Sequence, residues 1–148
     1  MPDEPQQHPE EIPPESDERF PSGPWQGFWL QRPLACRQWM RDLHLHFADG
    51  KVSGWGCDWV GPFTFDGSYE LNTGIVRLHK SYLGGHIVDY AGQNENDGQW
   101  LWGVWTISFN ADRGGFHLWP KGVDDPTTPR LAAEVEQPEE EAIPLSIP

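Results

Sequence analysis

Lys80 and Tyr82 stand two residues apart in the stretch Lys80-Ser81-Tyr82-Leu83-Gly84-Gly85-His86. On a strand they share one face, and Val76 and Leu78 lie on that face too. An ammonium group among apolar side chains needs a charged partner or a ligand. Asp58 is the acid placed to serve it, and Arg41 a second cation. Two cations facing one carboxylate leave a positive charge to spare, which an anionic group, most simply a carboxylate, would satisfy. Tyr82, Tyr90, His86 and Gln31 add directional hydrogen bonds. Two other readings stay open. Asp58 takes both cations in a buried network, or a partly desolvated Lys80 works as amine or base while His86 and Tyr82 move protons. No nucleophile–base–orienter set is visible, so the sequence favours a binder over an enzyme; no catalytic residue is assigned and no cofactor is called for.

These side chains meet only if strands bring them together. Between residues 23 and 121, turn signals recur about every ten residues, and aromatic and β-branched residues alternate between them. The pattern predicts strands near 25–32, 38–48, 51–59, 62–71, 74–83, 86–93, 99–109 and 115–120. Eight short meandering strands predict an all-β fold, an eight-stranded antiparallel up-and-down barrel, because closure removes the exposed sheet edges. A two-sheet sandwich is the alternative. Asp49-Gly50 as a two-residue hairpin turn pairs Phe47 with Val52, Leu45 with Gly54, Leu43 with Gly56 and Arg41 with Asp58. Val60-Gly61 as the next turn opposes Asp58 to Phe63 and Val52 to Tyr69. Asn72-Thr73 then sets Phe65 against Lys80 and Phe63 against Tyr82, and a Leu83-Gly84-Gly85 loop sets Lys80 against Val88 and Leu78 against Tyr90. All four turns keep one face inward. Strand 1 adds Trp25, Gly27, Trp29 and Gln31 to it, strand 7 adds Leu101, Gly103, Trp105 and Ile107, and strand 8 adds Phe116 and Leu118.

Odd-numbered strands of such a barrel all run to the same end. Gln31, Arg41, Asp58, Lys80, Tyr82 and His86 therefore gather at one mouth, while Phe47, Val52, Tyr69, Val76 and Leu101 close the other end. Trp29, Phe63, Phe65 and Trp105 would form apolar walls. A polar rim over an apolar floor is the anatomy of a ligand cup, although the interior aromatics could equally fill the space that the glycines leave.

The chain's formal charge of −13 sits mainly at its two ends. Residues 1–20 hold seven acids and one base, residues 121–148 seven acids and two bases, and the 100 residues between them carry only −2. Proline, acid and few apolar side chains predict disordered tails over 1–22 and 122–148, with Ala142-Ile143-Pro144-Leu145 as a possible apolar clip. Such a chain would repel phosphate backbones, so a nucleic-acid partner is not expected. No apolar run spans a membrane and none begins as a secretory signal, so no membrane partner is expected and the cytosol is the expected compartment. Asp42, His44, His46 and Cys57 supply zinc-type ligands, but they are spread along a strand too far for tetrahedral closure, and no metal site is assigned. Cys36 and Cys57 fall too far apart for a disulfide.

On the outer face Phe28, Leu30, Trp100, Trp102, Val104 and Trp119 come from strands that become neighbours when the barrel closes. This predicts an interaction or homodimer surface through Phe28, Trp102 and Trp119 as the rival to a small-molecule ligand; an enzyme of isomerase or cyclase type is the third reading.

Gly27-Phe28-Trp29, Asp49-Gly50-Lys51-Val52-Ser53-Gly54, Gly67-Ser68-Tyr69 and Trp105-Thr106-Ile107 resemble, in order and spacing, strands of the calycin group, the lipocalins and the avidin–streptavidin family. The resemblance implies a small barrel with a ligand end. It does not extend to biotin, because Leu30-Gln31-Arg32 stands where avidins place the polar residues that hold the ureido group.

Overall fold

The computed structural model describes residues 12–31, 36–95 and 99–127. Eight strands follow in chain order: β1 (Gly23–Trp29), β2 (Gln38–Ala48), β3 (Lys51–Asp58), β4 (Gly61–Tyr69), β5 (Ile75–Tyr82), β6 (Ile87–Glu95), β7 (Trp100–Ile107) and β8 (Asp112–Pro120). Each pairs antiparallel with the next, and β1 pairs with β8 through Trp25–Pro120 to Trp29–Phe116, which closes the barrel. Among the described residues no helix is long and apolar enough to cross a membrane.

The alternating sequence produces alternating burial. On β5, Val76, Leu78, Lys80 and Tyr82 are buried between more exposed neighbours. The registers of β4 with β5 and of β5 with β6 are those that the turns predict, including Phe65 opposite Lys80 and Leu78 opposite Tyr90. Between β3 and β4 the two turn residues are Trp59 and Val60, so Asp58 faces Gly61 and Val52 faces Gly67. This slides the ladder by two residues against the expectation and leaves every side chain on its face, because two is the strand period. Asp58 Oδ1 accepts the Val60 N–H at 3.0 Å and closes that turn.

The other difference reverses a face. In β2 His44 opposes Trp55 but Arg41 opposes Cys57, so Asp42 and Leu43 together face Gly56. Asp42 takes the left-handed conformation, φ 51°, which aspartate tolerates better than most residues. One extra residue on one strand is a β-bulge. Beyond it Gln38 and Met40 turn inward, and Arg41 turns out to solvent. Gly56 accommodates the bulge: a Cβ there would lie 2.9 Å from Phe63 Cζ and 3.2 Å from Leu43 Cδ1.

Aromatic rings occupy the room left by the interior glycines. Tyr82 touches Phe63, Phe63 touches Phe65, Phe65 touches Tyr90 and Tyr90 touches Phe116, with centroids 4.6–5.7 Å apart. A Cβ on Gly92 would lie 2.8 Å from Phe116 Cζ. Of the two readings of the interior, the packed core is the one these contacts describe.

The floor carries a part that the sequence reading assigned to the tail. Phe20 is fully buried, its ring 4.8 Å from Tyr69 and 5.4 Å from Phe47. Backbone and side-chain bonds hold it there. The Glu15 N–H donates to Phe47 O, Ser22 Oγ accepts the Phe47 N–H, Arg19 Nη2 donates to Leu71 O, and Asn94 Nδ2 donates to Arg19 O. Residues 15–22 are thus a strap across the closed end, and the barrel unit begins before residue 23. At the other boundary the Lys121 N–H donates to Pro24 O, and Asp125 meets Arg37 at 3.3 Å, so ordered packing continues past residue 121. Residues 1–11, 128–148 and the expected apolar clip lie outside the described residues.

Candidate functional site

Asp58, the last residue of β3, lies at the centre of the mouth. Its Oδ2 accepts from Lys80 Nζ at 2.8 Å, Tyr82 Oη at 2.8 Å and Trp29 Nε1 at 3.1 Å, which links the ends of β1, β3 and β5 through one oxygen atom. Lys80 is 1% exposed. Its ammonium also donates to Tyr90 Oη at 3.2 Å and lies 4.3 Å from the centre of the Phe63 ring, a cation–π contact that meets its remaining face. The sequence reading therefore assembles Asp58, Lys80, Tyr82, Tyr90, Trp29 and Phe63 as one cluster. Trp105 stands beside it, edge-on to Trp29 with centroids 5.9 Å apart, and its indole N–H donates to Leu30 O.

Burial opposes both charges and the pairing resists it. Burial pushes the Asp58 carboxyl up, but the Lys80 charge and the hydrogen bonds from Lys80, Tyr82 and Trp29 outweigh it and hold the group below its ordinary value. For Lys80 burial prevails and pulls the ammonium down to about 8, against the attraction of Asp58. Both partners are ionised at neutral pH, and together they are neutral. Burial raises the Tyr82 and Tyr90 hydroxyls, with the Asp58 carboxylate adding to it, so both stay protonated donors.

An acid limb follows from Asp58. Between its lowered folded value and the ordinary 3.8, the unfolded chain holds more protons than the folded one, so acid favours unfolding there. The stability it contributes is complete above about pH 4 and is lost as pH falls through the folded value. Asp17, held down to about 2 by hydrogen bonds from Arg19, and Glu15, lowered by the Tyr69 hydroxyl, act in the same window. The measurement is therefore a difference: urea unfolding from pH 5 to pH 2.5 should fall less steeply for Asp58→Asn than for the parent, and parallel slopes would remove Asp58 from the account.

Three expected members are elsewhere. Arg41 is turned outward by the β2 bulge, with Nη2 3.6 Å from Cys57 Sγ. Gln31 lies past the end of β1, where its amide donates to Asp112 Oδ2 at 3.3 Å. His86 stays at the rim, half-buried, its ring 5.2 Å from Tyr82 and 6.4 Å from Phe109. With Arg41 outside, no positive charge is left over in the cluster, and the argument for an anionic ligand inside the barrel loses its premise.

The outer aromatic patch is also altered. Phe28 is 0% and Trp119 2% exposed. Trp39 and His117 lie against Phe28, Trp119 packs edge-on to both Phe28 and Trp39, and the Arg37 guanidinium sits 4.7 Å over the Phe28 ring, held by Asp125. Trp102 is half-buried. The expected interface surface at Phe28 and Trp119 is therefore covered by the chain itself. Among the described residues no three His, Cys, Asp or Glu side chains group as metal ligands, and His44 stacks on Trp55.

The sequence reading missed the rim. Leu83 (82%), Phe109 (74%) and Trp59 (66%) are the most exposed large apolar side chains among the described residues. They stand on the β5–β6, β7–β8 and β3–β4 turns, all at the mouth end. Val60 and Ile87 are exposed beside them, and Trp59 stacks on the buried Trp29, centroids 6.4 Å apart. The signal was available: tryptophan, leucine and phenylalanine at turn tips, where glycine and polar residues prevail.

No protein-family model, curated protein or solved structure matches this chain.

Proposed function

We propose that the protein is a small-ligand-binding barrel whose ligand sits on the mouth rather than in the interior, with an apolar body held among Trp59, Leu83 and Phe109. The observation that carries this reading is the convergence of the three most exposed apolar side chains on one end of the barrel. Scattered apolar side chains are ordinary on a surface; a cluster on separate turns marks a contact site. Below them the Lys80–Asp58–Tyr82–Trp29 cluster fixes the ends of β1, β3 and β5, and so fixes the spacing of the turns that carry the rim. In this reading the buried pair positions the site and does not touch the ligand. His86 is the rim group able to donate a hydrogen bond to an acidic head.

The test uses anilinonaphthalene sulfonate, an aromatic anion that fluoresces when removed from water. The parent protein should bind it, and Trp59→Ala or Phe109→Ala should weaken binding about tenfold each, the equivalent of about 1.4 kcal/mol. Trp55→Ala, on the barrel wall and 55% exposed, should leave it unchanged. Equal binding by Trp59→Ala and the parent would overturn the reading.

A further inference from the structure

We infer that the rim is a lipid-contact surface, and that the mouth end rests on a zwitterionic bilayer; this builds on the mouth as the binding end and names what that end meets. Three observations point the same way. The apolar side chains are at the tips of three separate turns, so they project as points and do not line a groove. Their exposed apolar area is on the order of 400–500 Å², the range of a functional patch but well short of the roughly 800 Å² that each side of a standard protein interface contributes. A bilayer needs no matched partner area, since fluid chains close around whatever enters, and Trp59 is the amphipathic ring type that settles at such a boundary.

The third observation is the distribution of charge along the barrel axis. The turn residues Trp59-Val60, Leu83-Gly84-Gly85-His86 and Ser108-Phe109-Asn110-Ala111 include no Asp, Glu, Lys or Arg. The closed end carries Asp49, Glu70 and the strap acids Glu15, Asp17 and Glu18. An axis with an uncharged apolar pole and an acidic pole orients against a surface, with the acids kept in water. The charge of −13 also selects the surface: anionic headgroups would repel the chain within a Debye length, and zwitterionic ones would not.

The experiment is flotation of the full chain with phosphatidylcholine vesicles, run beside vesicles containing phosphatidylserine. Binding to phosphatidylcholine is expected to be insensitive to salt. Binding to the anionic vesicles is expected to be weaker at low salt and to rise with salt as repulsion is screened. Leu83→Ser with Phe109→Ser should lower flotation at least tenfold with an unchanged near-ultraviolet circular dichroism spectrum. Lipids brominated near the headgroup should quench parent fluorescence more than that of Trp59→Phe. Failure of the parent to float, while anilinonaphthalene sulfonate still binds in a Trp59-dependent way, would overturn the lipid surface and keep the rim for a soluble ligand or peptide. Flotation unaffected by the rim substitutions would overturn it as well. Loss of Trp59 dependence in both assays would take the mouth reading with it.

Discussion

Lys80→Met is expected to destabilise the barrel by about 3–5 kcal/mol, the scale on which removal of one member of a buried ion pair acts. The size follows from what remains. Asp58 would keep donors from Tyr82 and Trp29 and from the Val60 backbone, but its charge would have no counter-charge at a site where it is 3% exposed. Adding Asp58→Asn should recover a large share of the loss, because the double variant buries polar atoms and no net charge. The four chains form a double-mutant cycle in urea, and the coupling should be at least about 1.5 kcal/mol. Costs that simply add would mean that the two groups do not depend on each other. The same cycle separates stability from binding. If the buried pair only positions the rim, the double variant should bind anilinonaphthalene sulfonate once it is folded.

Phe20→Ala should cost about 3–5 kcal/mol, the usual range for a phenylalanine removed from a core. That would be an unusual result for a residue in a stretch whose composition reads as disordered. Phe20 seals the floor between Phe47 and Tyr69, and no residue of the barrel wall is placed to enter the space it would leave. Ile12→Ala, at a residue 52% exposed, should change stability by no more than about 0.5 kcal/mol. A loss below about 1 kcal/mol for Phe20→Ala would mean that the strap is a passenger and that the barrel is complete without it.

The fold was legible because its signals repeat. Alternation along each strand and a glycine or polar turn at each end fixed eight strands, and parity carried the inward face from strand to strand, even across the two-residue slide between β3 and β4. The core of the cluster, Asp58 with Lys80 and Tyr82, was found for the same reason. Arg41 was misplaced because a bulge leaves almost no mark in sequence. Leu43 still faces inward, and only the left-handed Asp42 opposite Gly56 reverses the rest of the strand. The strap was missed because one phenylalanine among acids and prolines is too little for a periodic signal; its burial depends on a floor that exists only after the barrel closes. Phe28 and Trp119 were taken as open because parity gives the face of a residue but not what lies across it, and Arg37 and Trp39 come to cover them from the start of β2.

The seam that closes the barrel gives it a mechanical direction. β1 and β8 are antiparallel neighbours, and the start of one, near Trp25, lies against the end of the other at Pro120. A load applied at those two points meets the hydrogen bonds of the seam one after another, as a zip is drawn, and never shares the load among them. The barrel can therefore be thermodynamically secure and still open readily under tension from its closed end. The strap is anchored at Phe47, Leu71 and Asn94 on β2, the β4–β5 turn and β6. It lies between an incoming N-terminal pull and the first bond of that seam.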